Sequence, residues 1–208
     1  MKYKVLFIGG GRRVSLARRF REHDFDVFSY ELEENPPIKS CATVIKGLRW
    51  ADPNIIKHIE ETIKDNNIDL VIPLQDIACL LVSQIFSNKI PTSSEYVNNI
   101  CFNKDLFEEY FIHYIINMHY VRNDRVSYPF PQPGYSIIKK PTRGFNSRGL
   151  IFCPYDSNLR SNDEYVVQKD IKDRTEISVD AYFNKNSKMI GAVPRKRIEI
   201  QGGEVCRS

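Results

Sequence analysis

Unbroken apolar runs alternate with amphipathic segments along the first part of this chain, and that alternation leaves few folds open. Val5 to Ile8 in KVLFIGGGRR is apolar, and after Gly9, Gly10 and Gly11 comes a helix-like run from Arg13 to Arg21. DVFSYELE supplies a second strand ending near Glu31, and IDLVIPL a third, short and fully apolar. Between these two lies DPNIIKHIEETIKDNN, a helix with Ile55, Ile56, Ile59 and Ile63 along one side. Asp52 is placed to cap it and Pro53 to stand at its first position. Buried strands separated by amphipathic helices predict a parallel, doubly wound sheet over about the first ninety residues.

The Gly-rich turn after the first strand, with an acid at the end of the second, invites a dinucleotide-binding reading. Its third element fails. Gly9, Gly11 and Val14 occupy the GxGxxG places, and a branched side chain at the third hinders close packing of helix on strand. The turn is then structural, or it meets a carboxylate or phosphate at the helix start.

At 208 residues, 42% hydrophobic and 27% charged, the chain can bury one good core or two small ones, and two lobes are expected. The net charge of +4 is spread among almost as many acids, which disfavours a nucleic-acid footprint. Arg12, Arg13, Arg18, Arg19 and Arg21 surround Leu16 and Phe20 at helical spacing and read as a solvated helix face. Cys41, Cys79, Cys101, Cys153 and Cys206 are odd in number and lack any CxxC, as expected of reduced thiols. His23, His58, His113 and His119 form no HExxH or HxxxH pair, so no metal site is expected from them. No apolar run approaches the length of a membrane span, and a cytoplasmic location is expected.

A second region begins at IPTSSEYVNNICFNKDLFEEYF. Ser93 or Ser94 can cap a short helix, and a second helix carries Leu106, Phe107, Tyr110 and Phe111 with Lys104 in its first turn. A cation at the positive end of a helix is unfavourable by about 0.3–1 kcal/mol, so Lys104 faces either solvent or an anion. After the proline-rich YPFPQPGY, the stretch IIKKPTRGFNSRG reads as a strand that Pro141 ends, leading into a polar loop. Gly144 and Gly149 allow unusual backbone conformations, Ser147 adds a hydroxyl and Lys140 a point charge, so several donors can converge on a phosphate. A hairpin turn with solvated cations is the plainer alternative. The lysine precedes the glycines and no GKS or GKT follows, which disfavours a P-loop. EYVVQKDI is a further strand, and TEISVDAYF and MIGAVPRKRIEI form a hairpin in which Ile177, Val179 and Ala181 point one way and Ser178, Asp180 and Tyr182 the other.

Lys104 in NKD, Lys140-Pro141 before GFNSRG, VVQKDI, TEISVDAY and VPRKRIEI with Gly202-Gly203-Glu204 together resemble the ATP-grasp superfamily. The likeness is to the branch similar to the carbamoyl-phosphate synthase large subunit and to small carboxylate-amine ligases. GGGRRVSLARRF, the DPN helix and IDLVIPLQD look like that branch's pre-ATP-grasp domain. The resemblance implies an α/β chain with a Rossmann-like pre-ATP-grasp domain at about 1–92 and part of an ATP-grasp domain at about 93–208. Within the latter it implies a small lobe at about 117–168, a hinge at 168–171 and the start of a large lobe at 172–208.

For the site, the resemblance implies that Lys104 and Lys140 contact the phosphates of ATP and that Gly144 through Gly149, with Ser147, form the flap. Gln168, Lys169, Asp170 and Ile171 correspond to the adenine hinge, with backbone groups of Lys169 and Ile171 on the base edge, and Glu176 to the acid on the ribose. Arg195 and Arg197 match the VPRxR strand, with a phosphate or substrate-carboxylate role. The chain departs from the family pattern in Asn146 at a usual glycine, in Arg174 as an extra residue before Glu176, and in Ala78 where an acid is usual. The family's Mg2+ ligands follow the VPRxR hairpin, and Glu199 and Glu204 do not occupy their places. The expectation is that the chain alone is not a competent ligase. Its partners would be nucleotide, a small carboxylate, and a second copy or a complementing chain covering the 175–200 hairpin, whose apolar face and edge are otherwise bare. A nucleotide-binding module without catalysis and a dinucleotide binder using the Gly9 turn are the other two readings.

Overall fold

β1, Tyr3–Ile8, is the strand on which the first part of the chain is built: Val5, Leu6, Phe7 and Ile8 are all fully buried in the computed structural model. The structure describes residues 2–85, 89–111, 121–122, 125–126, 136–143, 149–154, 165–171, 173–184, 186–201 and 204–207. Two compact units divide the chain, Met1–Phe102 and Asn103–Ser208.

In the first unit α1, Val14–Glu22, follows β1 and leads to β2, Phe25–Glu31. A short 3-10 turn, Pro37–Ser40, precedes β3, Thr43–Lys46, and then come α2, Ile55–Asp65, and β4, Leu70–Pro73. The four strands are parallel in the order β3-β2-β1-β4, so the chain moves outward from β1 and then returns to its other side. Alternate residues of β1 serve opposite faces. Leu6 and Ile8 pack with Ile55, Ile59 and Ile63 of α2, whereas Val5 and Phe7 pack with Ala17, Leu16 and Phe20 of α1. Each fully buried Val, Leu, Ile or Phe of β1 stabilises the fold by about 1.5–3 kcal/mol. The arginines Arg12, Arg13, Arg18, Arg19 and Arg21 are exposed, as their spacing around Leu16 and Phe20 requires.

The α2 cap differs from its expected form. Asp52 Oδ1 accepts from the Asn54 N–H at 2.9 Å and the Asp52 carbonyl from the Ile55 N–H at 3.1 Å, so Asp52 closes a turn ahead of the helix and Pro53 lies within that turn. An aspartate bonding the N–H two residues on competes with direct capping. The unit ends with α3, Asp76–Val82, and α4, Glu95–Phe102, which pack together. Ser94 is the α4 cap, its Oγ accepting from the Val97 N–H at 3.4 Å. The first unit runs to Phe102 and so includes α4.

The second unit opens with α5, Lys104–Phe111. β5, Val121–Arg122, and β6, Arg125–Val126, make a two-stranded ladder. β7, Ser136–Pro141, is the centre of an antiparallel sheet between β8, Ile151–Pro154, and β9, Tyr165–Lys169. Ile137, Ile138, Val166 and Val167 are buried, so both faces of β7 and β9 are covered. β10, Ile177–Phe183, and β11, Met189–Lys196, form the expected hairpin, and β12, Glu199–Gln201, pairs with β13, Glu204–Arg207. No helix among the described residues is long and apolar enough to cross a membrane.

Candidate functional site

The antiparallel register of β7 on β9 selects the side chains of the site. Ile138 lies opposite Gln168 and Lys140 opposite Val166, so these four side chains share one face, since directly opposed residues of a ladder point the same way. Of these four, Lys140 and Gln168 are the polar ones. Glu108, from α5, closes on it: the Gln168 Nε2 donates to Glu108 Oε1 at 2.6 Å. Glu108 is only 6% exposed, and among the described residues no hydrogen-bond donor reaches its Oε2.

Burial governs the charges here. It pushes the Glu108 carboxyl up to about 7, against the opposing effects of the Gln168 hydrogen bond and the Lys140 cation, with Asp105 adding to the rise. Burial likewise lowers the Lys140 ammonium, a shift that Glu108 and Glu176 resist and Arg174 reinforces. Among the described residues no side chain lies within ion-pair distance of Lys140. A half-buried ammonium in that position is suited to an external anion.

The end of β7 is tied to α5. The Lys104 N–H donates to the Thr142 carbonyl at 3.0 Å, and Asn103 bridges Arg143. Lys104 is thus joined through its backbone to a residue just past Lys140. Gly149 returns the chain to β8 at φ +74°. A Cβ there would meet the Pro141 Cγ at 2.9 Å, so both conformation and space require glycine. Gly144 and Ser147 lie outside the described residues.

Beyond β9 the chain turns back through a clamp built on Arg174. Its Nη1 donates to Asp170 Oδ1 at 3.1 Å and to the Ile171 carbonyl at 2.7 Å, and its Nε donates to Glu176 Oε1 at 2.9 Å. Asp170 is also held by Ser136, whose hydroxyl donates to Oδ2 at 2.9 Å. The residue that looks like an insertion before Glu176 is therefore the one that closes the turn. Glu176 further pairs with Arg197 at 3.1 Å, and the Arg174 hydrogen bond, opposed by partial burial, holds its carboxyl below the usual range. Ile171 is half exposed, and the backbone of Lys169 pairs with Ile137. Arg195 stands apart from this group, bonded to Asp180 at 2.6 Å across the β10–β11 hairpin.

Lys104, Lys140, Gln168, Glu176 and Arg197 thus all belong to the second unit, and Lys140 faces Glu108 and Glu176. Sequence reasoning missed Glu108. In KDLFEEYF the aromatic residues look like the packing face, yet Asp105 and Glu108 are buried while Phe107 and Tyr110 are exposed. No local spacing could have flagged it, because its partner Gln168 is 60 residues away.

The Gly9 turn of the first unit is occupied from within. Glu31 accepts from the Ser29 hydroxyl at 2.5 Å and from the Gly10 N–H, and burial raises its pKa. Its Oε2 lies 3.0 Å from where a Gly11 Cβ would stand. The acid that a dinucleotide reading needs for a ribose is engaged by the turn itself. No group of three or more His, Cys, Asp or Glu side chains suited to a metal ion occurs among the described residues.

No protein-family model and no curated protein matches the chain in sequence. Solved structures do match it in fold. N5-carboxyaminoimidazole synthetase from Staphylococcus aureus, complexed with ADP, has a TM-score of 0.64 at 15% identity, over 98% of this chain and 57% of that one. N5-carboxyaminoimidazole ribonucleotide synthetase from Thermotoga maritima gives 0.63 at 18%, over 93% and 53%. L-amino acid ligase from Bacillus licheniformis gives 0.63 at 12%, over 94% and 53%. The chain spans about half the length of these structures. The fold is the expected α/β one, a parallel sheet followed by antiparallel sheets, and it matches about half of each of these structures.

Proposed function

We propose that the β7–β9 face binds ATP, with Lys140 on the phosphates and Gln168 beside the base. The observation that carries this reading is the half-buried Lys140 ammonium, on the same sheet face as Gln168 and without an ion-pair partner among the described residues. A cation partly removed from water and not neutralised by a neighbour gains most from an anionic ligand. ADP in the S. aureus synthetase of the same fold supports the choice of nucleotide. Lys104, at the start of α5, is the second phosphate contact in this reading, and Gly144, Ser147 and Gly149 belong to the covering loop. Backbone groups of Lys169 and Ile171 meet the base edge, and Glu176 the ribose hydroxyls.

The reaction of a full-length protein built on this chain is, in our reading, carboxylate activation. A substrate carboxylate oxygen bonds to the γ-phosphorus as the bond to the β–γ bridging oxygen breaks, leaving ADP and an acyl phosphate. An amine then bonds to the acyl carbon, loses a proton, and expels phosphate. This chain's share is to hold the nucleotide and to offset charge on the transferring group with Lys104 and Lys140. Arg195 and Arg197 are assigned to the substrate carboxylate or the phosphate, and the carbamoyl-phosphate synthase-like branch remains our choice of relative. We assign the protein to the cytoplasm. A second copy or a complementing chain would cover β10–β11.

The test is calorimetric titration of the chain with ATP, repeated on Lys140→Ala. ATP binding that the substitution weakens supports the assignment. Binding of equal strength in both removes Lys140 from the site, and no binding to the parent removes the nucleotide reading.

A further inference from the structure

The Gln168 amide is a fork with a nitrogen tip and an oxygen tip, and the two tips do opposite chemistry. A carboxylate can only accept, so an ionised Glu108 keeps the nitrogen tip on α5, where Nε2 donates to Oε1 at 2.6 Å. The oxygen tip is thereby turned away from the helix, and among the described residues no donor reaches it. Glu108 is 6% exposed and among the described residues its second oxygen has no donor, so none of them offers the carboxylate a competing hydrogen bond, and little solvent reaches it.

We infer that Glu108 is a positioning residue of the nucleotide site, fixing the Gln168 amide so that its carbonyl oxygen meets the base and selects one with an exocyclic amine. The inference rests on the nucleotide reading above. An amine at that edge donates to the Gln168 oxygen; a base carrying a carbonyl there sets oxygen against oxygen, and the buried acceptor loses its partner. Removing the acceptor-only carboxylate frees the amide to turn over, and a carbonyl base is then met by N–H.

Protonation of Glu108 has the same effect, because a carboxylic acid can donate to the Gln168 oxygen and hold the amide reversed. The charged groups that face Glu108 are Asp105 from its own helix and Lys140 from β7; β9 brings the neutral Gln168. Burial places the titration at about 7. Selectivity for the amine is therefore expected to be highest in mild alkali and to decline in mild acid.

The experiment measures binding of ATP and of ITP, which carries oxygen in place of the 6-amine, to the full chain at pH 8 and pH 6. Wild type is expected to favour ATP by roughly tenfold or more at pH 8, the scale of one unmade buried hydrogen bond, and by less at pH 6. Glu108→Gln, close in shape and able to donate or accept, is expected to bind ATP with a preference within about threefold at both pH values. A wild-type preference retained in Glu108→Gln, or equal wild-type binding of the two nucleotides, overturns this inference and leaves the nucleotide site standing. Failure of wild type to bind either nucleotide overturns both. Should the variant not fold by circular dichroism, the pH dependence of the wild-type ratio decides: a constant ratio refutes the role of Glu108.

Discussion

Lys140 and Gln168 are diagonal neighbours on one face of the β7–β9 ladder, Gln168 standing opposite Ile138 and Lys140 opposite Val166. Such positions lie about 7–8 Å apart, close enough for one ligand to touch both. The pair places a cation and a hydrogen-bonding amide together beside the apolar side chains of Ile138 and Val166.

Lys140→Ala should weaken ATP binding by about 1.5–3 kcal/mol, the worth of a hydrogen bond to a charged group. Titration calorimetry measures the loss. Because burial already lowers the Lys140 pKa, the substitution should not reduce the unliganded protein's denaturant midpoint. A large drop in that midpoint would make Lys140 a structural residue.

Glu108→Gln should stabilise the fold in a pH-dependent way. The folded-state value of about 7 lies above the ordinary carboxylate value of 4.5, so the folded protein holds its proton longer than the unfolded chain and stability declines as pH rises between the two. Below that window the substitution should have little effect. Above it the gain should approach about 3 kcal/mol, at 1.36 kcal/mol per pKa unit. Urea denaturation at several pH values tests this, and a gain that shrinks with rising pH would contradict it.

Gly149→Ala places a Cβ where φ is +74° and Pro141 Cγ is 2.9 Å away. The conformational part alone costs about 1–2 kcal/mol. The midpoint of chemical denaturation should fall accordingly, and an unchanged midpoint would mean that the turn relaxes without cost.

Arg174→Ala removes the donors that Asp170, the Ile171 carbonyl and Glu176 share. Arg174 is well exposed, so the loss of global stability should stay near 1 kcal/mol or below. Amide hydrogen exchange should nonetheless quicken between Asp170 and Glu176. Unchanged exchange there would show that the clamp does not hold the turn.

Val179 is 61% exposed on the β10–β11 face that also carries Ile177, Ala181, Ala192 and Pro194. An open apolar strand pair favours association. We expect the weight-average mass in sedimentation to rise with concentration, and Val179→Glu to suppress the rise while changing monomer stability by less than about 0.5 kcal/mol. A constant monomer mass in the parent would count against a self-associating face.

The parallel sheet was legible because its signal is local. Val5 to Ile8 is apolar at every position and Ile55, Ile59 and Ile63 recur at helical spacing, so each segment states its own burial. The α2 cap was misplaced because Asp52 can bond either into the helix or into the turn before it, and the backbone geometry chose the turn. Arg174 reads as an insertion in the sequence because its three acceptors come together only in the folded turn.

By itself the sequence determined the alternation of strands and helices, the hairpin at β10–β11, and Lys140 as a cation at the end of a strand. The tertiary structure alone decided that Glu108 is buried against Gln168, that Lys140 shares their face, and that Glu31 closes the Gly9 turn. The physical reason is the range of the interaction. Periodicity is written between neighbours, whereas the proton affinity of Glu108 and the orientation of the Gln168 amide arise only when α5 and β9, 60 residues apart, exclude water from the same place.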